Sequence, residues 1–174
     1  MEHKVIWVDE NDTPLGEIEK IEAHLMGLLH RAVSVFVFNS QGKLLLQQRA
    51  SDKYHSSCLW TNTACTHPYP GETNEDAVRR RLKEEMGLTV REVKKLFHFT
   101  YREALDNELT ENEFDHVFVA FSDEEPVPDP EEVSTFAWVD TDEVLDEISR
   151  NPQHYTVWFK KIALRVINLL KNPE

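Results

Sequence analysis

Apolar residues gather in short strand-like runs over the first 50 residues and again after residue 95, and a charged stretch with helical spacing separates the two groups. "KVIWVD" at 4–9 is the first run. "AVSVFVFN" at 32–39 follows, rich in the β-branched and aromatic residues that suit a pleated, half-buried surface. "NSQGK" then reads as a turn into "LLLQQR" at 44–49, which makes a hairpin. From Thr73 to Met86, "TNEDAVRRRLKEEM" consists of helix formers, with Thr73 and Asp76 as a capping box and Gly87 where a C-terminal cap belongs. "LFHFTYRE" at 96–103, "FDHVFVAFS" at 114–122 and "TFAWVD" at 135–140 return to strand patterning, the last two separated by the acidic, proline-broken loop "DEEPVPDPEE". Two helices close the chain, "TDEVLDEISRN" and "YTVWFKKIALRVINLL", with Pro152 between them and an apolar stripe at Val157, Ile162, Val166 and Leu169. This order predicts an α/β sandwich, a mixed sheet with flanking helices, as one domain over residues 1–174 with no linker.

Charge narrows the range of partners. Lys and Arg number 19 against 32 Asp and Glu, a net charge of −13 that repels polyanions and argues against nucleic-acid binding. An anionic small molecule remains compatible, provided metal ions or a local cluster of Arg and Lys reverse the sign inside a pocket. No apolar run approaches a membrane span, and "MEHKVIWVDE" lacks a basic patch followed by a hydrophobic stretch, so a soluble, cytoplasmic monomer without membrane partners is expected. The two cysteines, Cys58 and Cys65, are not expected to form a disulfide in that compartment.

Four groups of residues are candidates for chemistry. Cys65 and His67 stand two residues apart in "TNTACTHPY", where the thiol taken alone could be packing, half of a disulfide, a metal ligand or an acid/base. "ENE" at Glu111 to Glu113 precedes a strand; if the strand extends back over it, both carboxylates point to one side. His24 and His30 are six residues apart and share no helical face, so a loop entering "AVSVFVF" is the expected way of presenting both. Arg81, Glu84 and Glu85 share one helix face with Glu72 just ahead, which alone reads as a solvated charged surface. His3, His55, His98, His116 and His154 are given no role, and Cys58 is expected to be a small packing residue.

Glu72, Arg80, Leu82, Glu84, Glu85, Gly87 and Leu88 nevertheless keep the spacing of the Nudix box. Thr66 stands where that box begins with glycine, and Arg81 where its second glutamate belongs. Together with "HLMGLLHRAVSVFVFN", "WTNTACTHP" and "ENE", the chain resembles the type I isopentenyl diphosphate isomerase family, a branch of the Nudix fold. The resemblance implies an α/β/α Nudix sandwich and interconversion of isopentenyl and dimethylallyl diphosphate, a small-molecule isoprenoid diphosphate substrate. It implies a metal site at His24, His30, His67, Glu111 and Glu113 holding zinc, manganese or magnesium, and a magnesium on Glu85 bridging the diphosphate. It carries Cys65 over as an acid/base residue with Glu113 as its counterpart, Tyr101 as a hydrogen-bond partner of the acidic pair and Trp158 as the aromatic facing the reacting carbons. Lys20, Arg49, Lys53 and Arg81 match its diphosphate-binding cations. Arg81 would then exchange a hydrolytic metal ligand for a phosphate clamp. A Nudix hydrolase acting on a nucleoside diphosphate derivative is the nearest rival, and a metal-stabilised binding module the rival from another class.

Overall fold

The structure, a computed structural model, describes residues 3–173. Its strands are β1 (Lys4–Val8), β2 (Pro14–Glu19), β3 (His30–Phe38), β4 (Leu44–Arg49), β5 (Trp60–Thr61), β6 (Ala64–Thr66), β7 (Lys94–Ala104), β8 (Thr110–Phe121) and β9 (Val133–Val139). Its helices are α1 (Lys20–Met26), α2 (Asn74–Met86), α3 (Thr141–Arg150) and α4 (Val157–Lys171), with a single 3-10 turn at Pro152–His154. No helix among the described residues is long and apolar enough to cross a membrane.

The strands join in one mixed sheet around β3, whose residues are nearly all buried. β8 runs parallel to β3 from His30↔Glu113 to Phe38↔Phe121, and β7 pairs with β8 on its far side. β6 lies antiparallel to β3 with Cys65 opposite Ser34. The expected hairpin is joined only next to its turn, at Phe38↔Leu44; from there β4 departs to pair with β9. Asn39 Oδ1 accepts from the Gln41 and Lys43 backbones, and Gly42 at φ 75° completes the turn.

Alternation along the strands sends opposite residues into two cores. Phe36, Phe38, Val117 and Val119 face α3 and α4, meeting Val144, Phe159, Ile162 and Val166. Val33, Val35, Val37 and Phe118 face α2, meeting Ala77, Val78, Leu82 and Met86. The α4 stripe departs from the expected one at its end, where Ile167 is buried and Leu169 is exposed.

Both ends of α2 form as their residues dictate. The Thr73 hydroxyl accepts from the Asp76 backbone N–H at 3.1 Å, and Gly87 ends the helix in the left-handed region at φ 66°. A Cβ on Gly87 would lie 2.7 Å from the Val127 carbonyl oxygen. Gly87→Ala therefore combines left-handed strain with a backbone clash and should cost more than about 1 kcal/mol, read as a lowered denaturation midpoint at unchanged slope.

Candidate active site

At one end of the sheet the face towards α4 turns polar. Glu111, Glu113 and Asp115 are alternate residues of β8, so all three project to one side, where β3 contributes His30 and Ser34. β8 does extend back over "ENE". Tyr101 on β7 is the registered partner of Glu113, and its hydroxyl donates to Glu113 Oε1 at 2.9 Å.

The histidines arrive by a different route from the expected loop. His24 lies in the last turn of α1, Gly27 at φ 64° turns the chain, and His30 is the first residue of β3. A helix and a strand thus share the pair, which no single helical face could do. The α1 segment also delivers Lys20 to the same region, one turn before His24.

His24 Nδ1 contacts the Lys20 carbonyl at 2.7 Å and His30 Nδ1 the Leu28 carbonyl at 2.8 Å. A carbonyl only accepts, so each Nδ1 carries a proton and donates it, leaving Nε2 for a third party. Those Nε2 atoms lie 2.9 and 3.6 Å from Glu111 Oε1, and His67 Nε2 lies 3.8 Å from Glu113 Oε2. One ligand atom from each of His24, His30, His67 and Glu111 falls within 4.8 Å of all the others. The Nε2 atoms of the three histidines and Glu111 Oε1 are buried without a hydrogen-bond partner. Three imidazole nitrogens and a carboxylate oxygen thus converge on one small volume with no hydrogen-bond partner, a donor set that fits a divalent ion. Glu113 stands beside this group of four rather than within it.

Burial and neighbouring charge separate the two glutamates. Burial works against ionising Glu111, but its contacts with His24 and His30 outweigh that and hold its carboxyl well below the usual range. Burial pushes Glu113 well above it, and the Glu111 charge adds to the shift. Burial likewise holds the His67 imidazole well below its ordinary value, with His30 contributing. Burial and the Glu111 charge thus favour the protonated form of Glu113, at the edge of the ligand cluster.

Cys65 lines a cavity of about 650 Å³ together with Glu113, Tyr101 and Trp158. Both cysteines are free thiols, so no disulfide forms. Cys65 Sγ is 3.3 Å from Ser34 Oγ and accepts from Asn62 Nδ2 at 3.2 Å, while Ser34 donates to Asp115 Oδ2 at 2.7 Å. Burial pushes the thiol up, and the Asp115 carboxylate adds to the shift. Asp115 itself is raised to about 7, chiefly by burial. Trp158 is 4 % exposed, and its indole N–H has no partner.

The cations line the same cavity. Lys20 lies over the Tyr54 ring at 4.9 Å, its pKa lowered to about 8 by burial and then by the charge of Lys53. The Arg49 guanidinium lies over Trp158 at 5.4 Å. Glu85 is buried, accepting from Gln47 Nε2 at 2.6 Å and pairing with Arg81 Nε at 2.5 Å. Arg81 is less free than a phosphate clamp was expected to be. Its Nη1 donates to Glu84 at 3.2 Å and its Nη2 to Glu132 at 2.9 Å.

Several residues at the site were not singled out in the sequence. His55 is buried, with Nε2 3.5 Å from Glu111 Oε2 and its ring edge-on to Trp158, and burial lowers its pKa to about 3. His3 reaches the cavity and stacks on Tyr69. Ser34 could have been noticed as a lone polar residue inside an apolar strand, and Asp115 as the next member of the "ENE" alternation. Nothing marks His55 in its irregular loop. Cys58 is not the packing residue expected: it is exposed at φ 62°. Away from the cavity, Asp12 pairs with Arg31 Nε at 2.7 Å and contacts His116 Nε2 at 2.9 Å.

Comparison with known proteins gives the family. Residues 28–159 match the NUDIX domain family. The isopentenyl-diphosphate Delta-isomerase of Serratia proteamaculans is 48% identical over 162 residues, 93% of this chain and 90% of that protein. Isopentenyl-diphosphate Delta-isomerase 1 of Aromatoleum aromaticum is 49% identical over 167 residues, covering 96% and 94%. Among solved structures, DR0079 from Deinococcus radiodurans superposes with a TM-score of 0.76 at 23% identity, covering 94% of this chain and 98% of that one. A MutT protein from Methanosarcina mazei does so at 0.66 and 17%, covering 83% and 96%, and these two speak for the fold alone. On its sequence and its fold, the chain belongs to the isopentenyl-diphosphate Delta-isomerases of the NUDIX family.

Proposed function

We propose that this isomerase moves the double bond of isopentenyl diphosphate by passing protons between the substrate and two groups that line the cavity, Cys65 and Glu113. The observation that carries the reading is that both line one cavity from strands on either side of β3. The group that gives the proton starts protonated and the one that takes it starts ionised; a turnover moves one proton from the first to the second through the substrate, and exchange with solvent resets the pair. An alkene is a very weak base, and protonating its terminal carbon leaves a tertiary carbocation with no heteroatom beside it. One group must give a proton at that carbon while the other removes one from C2. Tyr101 orients Glu113 by its hydrogen bond. Water must be kept from the reacting carbons, since it would trap the cation as an alcohol.

His24, His30, His67 and Glu111, with Glu113 beside them, would hold a divalent ion, which imidazole ligands favour as zinc or manganese and carboxylates as magnesium. When bound, such an ion lowers the proton affinity of its neighbours and so sets the charge on Glu113. Glu85 would hold a magnesium against the diphosphate, and Lys20, Arg49, Lys53 and Arg81 would take its oxygens. We further read residues 1–174 as one catalytic domain acting as a cytoplasmic monomer, with neither nucleic acid nor membrane as partner, in keeping with the charge of −13.

Trp158 would stabilise the carbocation with its ring face, worth about 2 kcal/mol or more in a dry site. Because the charge exists only after protonation, Trp158→Leu should lower kcat roughly 30-fold with little change in KM, and Trp158→Phe should recover part of the loss. Equal losses for the two variants would reduce Trp158 to a packing role.

A hydrolase and an isomerase part at the phosphorus. With magnesium present, phosphorus NMR should show the diphosphate intact while the carbon skeleton rearranges, and nucleoside diphosphate derivatives should remain uncleaved. Steady phosphate release from either class of substrate, with no movement of the double bond, would overturn the reading.

A further inference from the structure

Glu132 ends the acidic loop that leads into β9. Its backbone is fixed on both sides: its N–H donates to the Asp129 carbonyl at 3.0 Å, and its own carbonyl accepts from Ala50 at 3.0 Å. Asp129 in turn donates to the Glu85 carbonyl at 2.9 Å, so the loop is tied to the end of α2. The side chain is thus held in place over the cavity and is not a drifting surface acid. A single oxygen, Oε2, takes both the Lys53 ammonium and, at 2.9 Å, Arg81 Nη2. The remaining Arg81 contacts go to Glu84 and Glu85.

An anionic oxygen between an ammonium and a guanidinium is also the arrangement a phosphate oxygen would take from these two cations. We infer that Glu132 is a built-in occupant of the diphosphate end, a specificity-determining residue that the substrate must displace from Lys53 or Arg81 before it can bind. The inference rests on the proposed role of those two cations in holding the diphosphate. It follows that binding is an exchange of anions. A ligand with one phosphate gains little beyond the carboxylate it replaces, whereas a diphosphate brings additional oxygens that reach Lys20 and Arg49 as well. Glu132 therefore favours diphosphates over monophosphates and keeps the four cations from repelling one another while the cavity is empty. Only the fraction of free enzyme in which Glu132 has let go is ready to bind, and apparent affinity is reduced by that fraction.

The test is calorimetric titration of metal-loaded enzyme with inorganic pyrophosphate and with inorganic phosphate. Glu132→Gln keeps the shape and removes the charge. It should tighten pyrophosphate about 3- to 10-fold and phosphate by more, so that the preference between the two narrows. In turnover the same variant should lower KM for isopentenyl diphosphate, because the substitution lies at the diphosphate end and leaves the proton-transfer groups untouched. Glu132→Asp, which keeps the charge but draws the oxygen back, should shift both affinities the same way by less, and it serves if the glutamine variant folds poorly. Lys53→Met separates the two levels of the argument. Should it leave pyrophosphate affinity unchanged, the assignment of Lys53 to the diphosphate is wrong and this inference goes with it. Should it weaken pyrophosphate while Glu132→Gln weakens it too, or leaves it unaltered, Glu132 is a brace and not an occupant.

Discussion

Cys65→Ala should reduce kcat by about 10³-fold or more, the upper part of the range for removing a proton-transfer group, while pyrophosphate affinity stays at the wild-type level. The split follows from position. The sulfur contacts Ser34 and Asn62, and it is none of the four cations, Lys20, Arg49, Lys53 and Arg81, proposed to hold the diphosphate. A structural thiol at this place would give another result, since deleting one half-buried sulfur costs stability and not turnover. Serine keeps the hydrogen bonds to Ser34 and Asn62 but replaces a thiol with a far weaker acid. Cys65→Ser should therefore fold as the parent does and remain nearly as slow as the alanine variant. Recovery of most of the rate by serine would remove Cys65 from the proton path.

Removal of divalent ions should have an effect as large, with a second signature in stability. Stripping the protein with a strong chelator should lower turnover by roughly 10²- to 10⁴-fold, since an ion at such a site contributes several kcal/mol. Zinc, manganese or magnesium added back should restore it to differing extents. The same addition should raise the melting temperature. Ligand at 100 times its dissociation constant stabilises the native state by about 2.7 kcal/mol, and three imidazoles with a carboxylate form a pre-arranged site only when folded. His67→Ala should lose both effects together. Retention of the metal-dependent melting shift in that variant would show that the ion binds elsewhere.

The parts of the fold that could be read from the sequence are those in which local preference and tertiary role agree. β3 is apolar from Ala32 to Phe38 apart from Ser34 because both its faces are covered, and α2 carries its start and stop signals at Thr73 and Gly87. β2 and α1 were not anticipated. β2 is an exposed edge strand opening on Pro14, and α1 has seven residues, fewer than a helical period needs to declare itself. That omission mattered at the site, because α1 is what carries Lys20 and His24 inward. "ENE" was legible through strand alternation, and Asp115 lay on the same alternation unremarked. His55 and Glu132 sit in irregular loops with no period to expose them, so only tertiary contact reveals that one faces Glu111 and the other bonds Lys53 and Arg81. The hairpin turn was read correctly, yet the partners of β4 were not, since β9 arrives from far along the chain.

Solvent hydrogen entering the carbon skeleton is the most direct test of proton exchange across the cavity. Metal-loaded enzyme and isopentenyl diphosphate in deuterated water, followed by NMR, should yield dimethylallyl diphosphate labelled in the new methyl group, with label appearing at C2 of the substrate pool as the reaction reverses. Neither label should appear with Cys65→Ala over the same time. Product formed at the normal rate with no deuterium in it would mean that the hydrogen moves within the substrate, and the two-group account would be contradicted.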